Sequence, residues 1–264
     1  MAAAGNVAPR LADMPDARRV LWLRLAIVAG VLATWEIVAV SGLLFRDVVP
    51  SLATIGKALV RLAGDSGFYF NLGVTLAQVA GALVIGGIAG LAVGILLGAN
   101  RFLARAYEPF IYYLGPTPKI IFFPIMIMWF GVGPGSKVAM GALSCFFPIA
   151  ISVAAGMRAI DPVLIRVGRS FRARTWQMVR KIYFPAMRRP ILNGVRLGLG
   201  IAIIGVLLAE TKLSNKGIGF LIIQAYATFD MPRMYALLIV LFVLAVGANS
   251  LIGRFAGADA SSSR

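Results

Sequence analysis

The stretch that constrains this chain most is RAIDPVLIRVGRSFRARTWQMVRKIYFPAMRR, residues 158–189. It holds nine arginines and lysines against one acid, Asp161, and is far longer than a tight turn between two helices requires. The sequence on both sides is apolar, because residues 138–157 and 190–209 contain a single charged residue, Arg196. A basic segment between two runs of about 20 apolar residues predicts a loop that joins two membrane-spanning helices.

Inside this segment, Asp161 as the N-cap and Pro162 as the first helical residue predict the start of a helix. The helix is apolar on one side and basic on another. Its apolar positions are Leu164, Ile165, Val167, Gly168 and Phe171, and its basic positions are Arg166, Arg169 and Arg172. A second helical piece follows and is predicted to end before Pro185. The segment therefore predicts two short amphipathic helices at the cytoplasmic surface.

Two interpretations of the segment remain open. One is a basic loop attracted to anionic lipid headgroups. The other is a docking surface for a protein, because Phe171 and Trp176 are poorly placed in water and aromatic residues beside arginines are typical of interface centres.

The composition extends the membrane interpretation to the whole chain. Of its 264 residues, 60% are hydrophobic and 14% are charged, whereas about a quarter are charged in a soluble domain. The fold class predicted is an all-α polytopic membrane protein. Its six spans are predicted at about residues 25–45, 72–98, 107–131, 138–157, 190–210 and 234–253. They form one transmembrane domain, residues 21–254, between cytoplasmic tails at 1–20 and 255–264.

The distribution of basic residues predicts the orientation. With both termini in the cytoplasm, the cytoplasmic segments carry 17 lysines and arginines and the opposite side carries seven. The first apolar run is about 20 residues long and lacks a small-x-small cleavage site, so an uncleaved span is predicted rather than a signal peptide. The net charge of +16 also raises a membrane-anchored nucleic-acid binder, but no basic module is long enough, and no nucleic-acid partner is expected.

Several classes of site are excluded by composition. The chain has no histidine and one cysteine, Cys145, which rules out histidine metal sites, Ser–His and Cys–His pairs, and an intrachain disulfide. The glycine-rich residues 131–137 lack the order Gly-Lys-Ser/Thr of a phosphate-binding loop, so they predict a turn between spans. No catalytic residue, metal site or cofactor is expected.

A row of small residues and one amphipathic segment predict how the helices are arranged. Gly86, Gly90, Gly94 and Gly98 recur every four residues and predict a face on which another helix backbone approaches closely. Residues 49–63 predict a short amphipathic helix on the outer membrane surface.

Four ionisable residues lie within the predicted spans and are candidate functional groups. Glu36 is expected to have a structural or lipid-interface role, and Arg196 to extend toward the cytoplasmic face. Lys119 follows two prolines and is a candidate for the translocation path. Glu210, near the outer end of the fifth span, is a candidate for the path or for a gate. The apolar residues 219–227 are expected to dip back toward the pore.

Residues 158–189 also show a resemblance to a known family. The segment resembles the cytoplasmic loop of binding-protein-dependent ABC importer permeases, whose motif reads Glu-Ala-Ala-x3-Gly-x9-Ile-x-Leu-Pro. Three residues fall at the Ile, Leu and Pro positions: Ile182, Phe184 and Pro185. The same register puts Arg166, Val167 and Gly168 at Glu-Ala-Ala and Arg172 at the glycine.

Neighbouring pieces resemble the nitrate/taurine/sulfonate branch of these permeases. They include Gly156-Met157-Arg158, Trp129-Phe130-Gly131, Trp176-Gln177, Ala209-Glu210, Gly217-Ile218-Gly219 and Phe229-Asp230, and the resemblance covers residues 45–254. It implies a type I permease with six spans in the bacterial inner membrane. It also implies the partners: a second permease subunit, two cytoplasmic ATP-binding subunits and an extracytoplasmic solute-binding protein.

The resemblance implies that the chain is a transport subunit, with ATP hydrolysis in a separate partner, and that it carries a small anion such as a sulfonate or nitrate. Relatives in this branch also carry thiamine precursors and other heterocycles. The ATPase-coupling residues implied are Arg166, Val167, Gly168, Arg169, Phe171, Arg172, Trp176, Ile182 and Pro185. Two residues depart from the motif. Arg166 reverses the charge of the Glu, and Arg172 adopts the backbone shape of a glycine bend less easily, at a cost of about 1 kcal/mol. These departures imply either a co-adapted, non-standard ATP-binding subunit or weaker coupling. The alternative function is a secondary transporter that uses intramembrane Lys and Glu for ion coupling.

Overall fold

The computed structural model describes residues 15–42 and 48–261, and its regular structure over these residues is entirely helical. The helices are α1 Pro15–Ser41, α2 Leu52–Ala63, α3 Ser66–Ala99, α4 Arg101–Leu114, α5 Phe123–Phe130, α6 Pro134–Arg158, α7 Pro162–Ser170, α8 Thr175–Met178, α9 Phe184–Lys212, α10 Ile218–Ala227 and α11 Met231–Ser261. A 3₁₀ turn, Lys119–Phe122, precedes α5, and a π-helical turn, Val179–Tyr183, joins α8 to α9.

Five of these helical stretches are long and apolar enough to cross a membrane, or six if the bent pair α4–α5 is counted as one span. The predicted all-α fold is confirmed. The third span differs from a straight helix, since α4 and the stretch Lys119–Phe130 are bent by 94°. The bend contains Pro116 and Pro118, which cannot continue the hydrogen bonding of a helix.

The ends of the spans differ in part from the predicted ones. Helix α1 starts at Pro15, earlier than the predicted span at 25, and residues 43–47 of that span lie outside the described residues. Helix α11 continues to Ser261, beyond the predicted end at 253, into the stretch predicted as a tail.

The core of the chain is formed by α3, α6 and α9, with α6 between the other two. The glycine face of α3 packs on α6 as predicted. A Cβ at Gly90 would lie 2.8 Å from the Phe146 carbonyl oxygen, and one at Gly94 would lie 2.7 Å from that of Ala150. These contacts require glycine because the backbones are too close for any side chain.

The predicted short helix is present as α2, and its position on the outer membrane surface stays a prediction. Ser51 caps it by accepting a hydrogen bond from the Thr54 amide, and Ile55 and Leu62 form its buried side. Glu36 of α1 accepts a hydrogen bond from the Leu52 amide at 2.8 Å, which satisfies a further amide of the first turn of α2. This contact gives Glu36 the structural role that was predicted for it.

Candidate functional site

The basic segment forms a compact surface of two helical pieces. Helix α7 begins as predicted, with the Asp161 carboxylate accepting a hydrogen bond from the Val163 amide at 2.7 Å and Pro162 in the first turn. Of its predicted apolar positions, Ile165 packs against the cluster that contains Ile160 and Met187 and Gly168 is buried, whereas Leu164, Val167 and Phe171 are exposed. The arginines on its other side are exposed.

The turn after α7 contains the residue at the glycine position of the resemblance. Arg172 has φ +50°, in the left-handed region that glycine adopts without strain. The Arg172 amide donates to the Arg169 carbonyl and the Ala173 amide to the Gly168 carbonyl, so hydrogen bonds hold the turn. The bend expected at this position is present, and the arginine occupies it at a conformational cost.

Two aromatic side chains flank this turn and point away from the protein. Phe171 is 82% exposed and Trp176 is 69% exposed. We call the exposed side chains of Arg166, Arg169, Phe171, Arg172, Arg174, Trp176 and Arg180 the coupling surface.

The second helical piece does not end before Pro185, so that prediction is wrong. Helix α8 passes through the π-helical turn into α9, giving one continuous helix, Thr175–Lys212. Pro185 lies in the first turn of α9, directly after the π-helical turn, and its missing N–H removes one hydrogen bond from the continuous helix. Ile182 is half-buried against the core cluster, whereas Pro185 is exposed.

Close packing fixes α7 onto this continuous helix. Gly168 is buried, and a Cβ there would come 2.7 Å from the Ile182 side chain and into contact with Met178. Val167, beside it, is 47% exposed. The structure therefore brings the predicted coupling residues together on one side of the chain, with Gly168 and Ile182 inward and the charged and aromatic residues outward.

Glu210 lies at the centre of a second cluster, at the other end of α9. Its side chain is fully buried and accepts hydrogen bonds from Thr75 Oγ1 at 2.8 Å and from the Gly219 amide at 2.7 Å. Thr75 in turn accepts from the Ile218 amide, and Asn71 accepts from the Gly217 amide. Side chains of α3 and α9 thus satisfy successive amides at the start of α10.

The geometry of this cluster requires glycine at residue 217. Gly217 has φ +104°, and a Cβ at this position would overlap the Glu210 carboxylate. Helix α10 is ten residues long, about 15 Å at the helical rise, and cannot cross a hydrocarbon layer of about 30 Å. Its C-terminal half, including Gln224 and Tyr226, is exposed.

Lys137 is a functional candidate that the sequence analysis did not identify. It was counted only among the outer basic residues, but its side chain is 1% exposed in the first turn of α6. Its ammonium group donates to the carbonyls of Val132 and Leu213, the latter at 2.6 Å, and interacts electrostatically with Glu210. A lysine directly before the apolar residues 138–157 was the available signal. With Asn71, Thr75 and Glu210 it forms what we call the polar node.

Lys119 lies at the 94° bend between α4 and α5. It is half-buried, donates to the Gly115 carbonyl, and sits 5.1 Å from the centre of the Phe147 ring. Arg196 donates to Asn249 Oδ1 at 2.9 Å, which links α9 to α11. Neither residue belongs to the polar node.

The described residues contain no group of three or more acids or cysteines that could hold a metal ion. Cys145 is fully buried in the core, with its sulfur 3.5 Å from the Ala82 carbonyl oxygen.

A family model described as "binding-protein-dependent transport system inner membrane component" matches residues 82–257. This range includes α7, the coupling surface, α9 and α10.

Similar proteins include a putative aliphatic sulfonates transport permease of Bacillus subtilis, 29% identical over 90% of this chain and 87% of that protein. The taurine transport system permease of Escherichia coli is 28% identical over 88% of both chains. The bicarbonate transport system permease of Synechococcus elongatus is 28% identical over 87% of this chain and 84% of that protein.

Among solved structures, the chain is similar to one from the inward-facing MetNI methionine ABC transporter. The match has a TM-score of 0.64 and 22% identity, and it covers 77% of this chain and 97% of that one. This likeness shows that the two chains share a fold.

Proposed function

The chain belongs to the family of binding-protein-dependent transport system inner membrane components, and we propose that residues 158–189 are the surface through which ATP-binding subunits move its helices. Membership makes the chain a membrane permease subunit of an ABC importer, with ATP hydrolysis in separate subunits and substrate delivered by a binding protein. It is not itself an enzyme. The alternative of a self-sufficient secondary transporter is not favoured.

One observation supports the coupling role more than any other: α8 and α9 form a single continuous helix, Thr175–Lys212. Its first turn carries the exposed Trp176, and its later turns are packed on α6 and α3 in the core. Since α7 is fixed to this helix through Gly168, a force applied at Phe171 reaches α9 without an intervening flexible loop. Closure of two ATP-binding subunits would then reorient α9. The translocation pathway through the permease would thereby switch from facing one side of the membrane to facing the other.

The substrate proposed is a small anion of the sulfonate or nitrate type. Three relatives that match 90%, 88% and 87% of the chain are named for aliphatic sulfonates, taurine and bicarbonate, which are compact solutes that carry an anionic oxygen-bearing group. Another, which matches 75% of the chain, is named for formylaminopyrimidine. This similarity supports the class of substrate and leaves the individual solute to experiment.

We propose that the permease works as a dimer with both termini in the cytoplasm. In this orientation the cytoplasmic segments carry 17 basic residues and the opposite side carries seven, as is typical of membrane proteins. Large apolar side chains remain exposed on α1, α4 and α5, including Val40, Tyr113 and Met128. Lipid and a second permease subunit would cover them.

The gating proposal places Lys119 and Glu210 in different roles. Lys119, at the bend where helical hydrogen bonding is interrupted, would line the path. Glu210 would act on the gate indirectly, by holding the start of α10 so that its exposed C-terminal half keeps a fixed position.

The test is transport by the reconstituted assembly. The chain is purified with its ATP-binding subunits and binding protein, incorporated into proteoliposomes, and supplied with radiolabelled taurine or bicarbonate. We expect uptake that requires ATP and the binding protein, and that stops when the ATP-binding subunit cannot hydrolyse ATP. Uptake that survives the loss of hydrolysis would contradict the proposal.

A further inference from the structure

The coupling surface is basic, and acidic residues of the same chain do not form the ion pairs given below with its arginines. Arg166, Arg169, Arg172, Arg174 and Arg180 are all exposed. Across the described parts of the chain, the ion pairs Arg158–Glu108 and Arg233–Asp65 involve none of them. Asp161, the one acid of the segment, is engaged in capping α7.

The apolar part of the same surface is placed among these charges. Phe171 lies directly beside Arg172 in the turn, and Trp176 lies two residues after Arg174. A partner that covers Phe171 must also remove water from the neighbouring guanidinium groups. Burying an arginine without a counter-charge is unfavourable, so the covering surface has to supply carboxylates.

A rigid framework sets where those carboxylates must lie. Helix α7 is fixed by the close contact of Gly168 with the Ile182 side chain, and hydrogen bonds hold the turn at Arg172. The arginines at 166 and 172 occupy the Glu and Gly positions of the motif that the segment resembles. At position 166 the sign of the charge is therefore opposite to that motif.

We propose that the coupling surface binds an acidic, phenylalanine-accepting cleft on its ATP-binding subunit, and that Arg166 and Arg172 select a subunit with carboxylates opposite them. This inference rests on the proposed function and adds the chemistry of the partner. An ATP-binding subunit whose cleft is complementary to a glutamate at position 166 is repelled by this chain.

The experiment measures the affinity of the permease, in nanodiscs, for the ATP-binding subunit that it copurifies with. Arg166→Glu and Arg172→Glu are compared with Arg101→Glu, which makes the same charge change at an exposed site on α4. We expect each of the first two to weaken binding at least about 10-fold, as charge pairs at interfaces do. Arg101→Glu should leave the affinity unchanged.

A second variant separates charge from backbone shape. Arg172→Gly relaxes the turn at φ +50° and removes the guanidinium group. We expect this variant to bind the ATP-binding subunit about 10-fold more weakly while its thermal midpoint does not fall. Unchanged affinity in Arg172→Gly would show that the turn, rather than the charge, is recognised, and would overturn the inference.

The lipid interpretation is tested in the same system. Measurements are repeated in nanodiscs that contain only zwitterionic phosphatidylcholine and at rising salt. We expect the effects of Arg166→Glu and Arg172→Glu to persist without anionic lipid, and the wild-type affinity to fall with salt. Effects that vanish in zwitterionic nanodiscs would assign the arginines to lipid headgroups.

The two proposals fail differently. If both glutamate variants bind the ATP-binding subunit as tightly as the wild type, the acidic cleft is wrong and the coupling role stands. If the wild-type permease binds no ATP-binding subunit, the proposed function itself fails.

Discussion

At the scale of single residues, backbone conformation makes the clearest prediction. Arg172 has φ +50°, where a Cβ is unfavourable by roughly 1–2 kcal/mol. Arg172→Gly should therefore raise the free energy of unfolding by about 1 kcal/mol, whereas Arg172→Ala, which keeps a Cβ, should not. Thermal unfolding of the detergent-solubilised permease measures both. Equal midpoints for the two variants would show that the turn is not strained.

Replacing either of two glycines of α3 by alanine is expected to change the stability of the permease in different ways. A Cβ at Gly90 would lie 2.8 Å from a carbonyl oxygen of α6, whereas one at Gly87 would reach only the Ile149 side chain at 3.9 Å. We expect Gly90→Ala to destabilise the permease by about 1–3 kcal/mol. Gly87→Ala should be neutral or stabilising, since alanine favours the helix. Similar midpoints in thermal unfolding would contradict the packing of α3 on α6.

The sequence predicted the positions of some of the packed and buried residues and missed those of others. The four-residue spacing of the glycines was sufficient to place them on one packed face, because helical periodicity is local. Lys137 was not found, since its burial depends on the Val132 and Leu213 carbonyls, the second of which is 76 residues away. Glu210 was flagged by its depth in an apolar span, but its partners Thr75 and Gly219 belong to other helices.

At the scale of helices, the hydrogen bonds of the polar node indicate that Glu210 fixes the position of α10. Glu210→Ala leaves the Gly219 amide and Thr75 without their acceptor in a buried site, which costs roughly 1–3 kcal/mol for each unpaired group. We expect a lower thermal midpoint and faster labelling of a cysteine introduced at Ala225, which is buried in α10. The control, Lys212→Ala, changes an exposed residue near the end of the same helix.

Labelling at Ala225 that is equally fast with the native Glu210, with Glu210→Ala and with Lys212→Ala would contradict the role of Glu210. Ala225 is buried, so the labelling rate reports how often α10 is released. The single native cysteine is buried and contributes little to the labelling.

The orientation of the helices is a separate prediction at this scale. Asn215 lies between α9 and α10, and Ser170 ends α7; both are exposed. We expect Asn215→Cys to react with a membrane-impermeant maleimide in intact cells, and Ser170→Cys to react only after the cells are permeabilised. The reverse pattern would invert the topology and place the coupling surface on the wrong side for an ATPase.

Helix ends were harder to predict than helix existence. The start of α7 depends on Asp161 and Pro162, which are adjacent in sequence, and it was predicted correctly. The passage of α8 into α9 was missed because a proline normally ends a helix, and a π-helical turn that accommodates Pro185 has no local signature. The bend in the third span was signalled by Pro116 and Pro118, although its angle was not.

At the scale of the whole molecule, α9 joins the two ends of the fold to which we assign functions. One end carries the coupling surface and the other carries the polar node, and the continuous helix Thr175–Lys212 connects them through the packed core. Family membership accounts for both the transport role and the need for an outside source of energy. The account depends on contact between the coupling surface and an ATP-binding subunit.

That contact is measured most directly by site-specific crosslinking at Phe171. The chain has one native cysteine, which is buried, so Phe171→Cys adds the single exposed thiol and Phe102→Cys, at a site 76% exposed on α4, is the matched control. The account predicts that a short maleimide–benzophenone reagent, attached to the introduced thiol and activated by light, joins Phe171→Cys, but not Phe102→Cys, to a nucleotide-hydrolysing subunit in the purified assembly. An active assembly in which Phe171→Cys forms no such crosslink would contradict it.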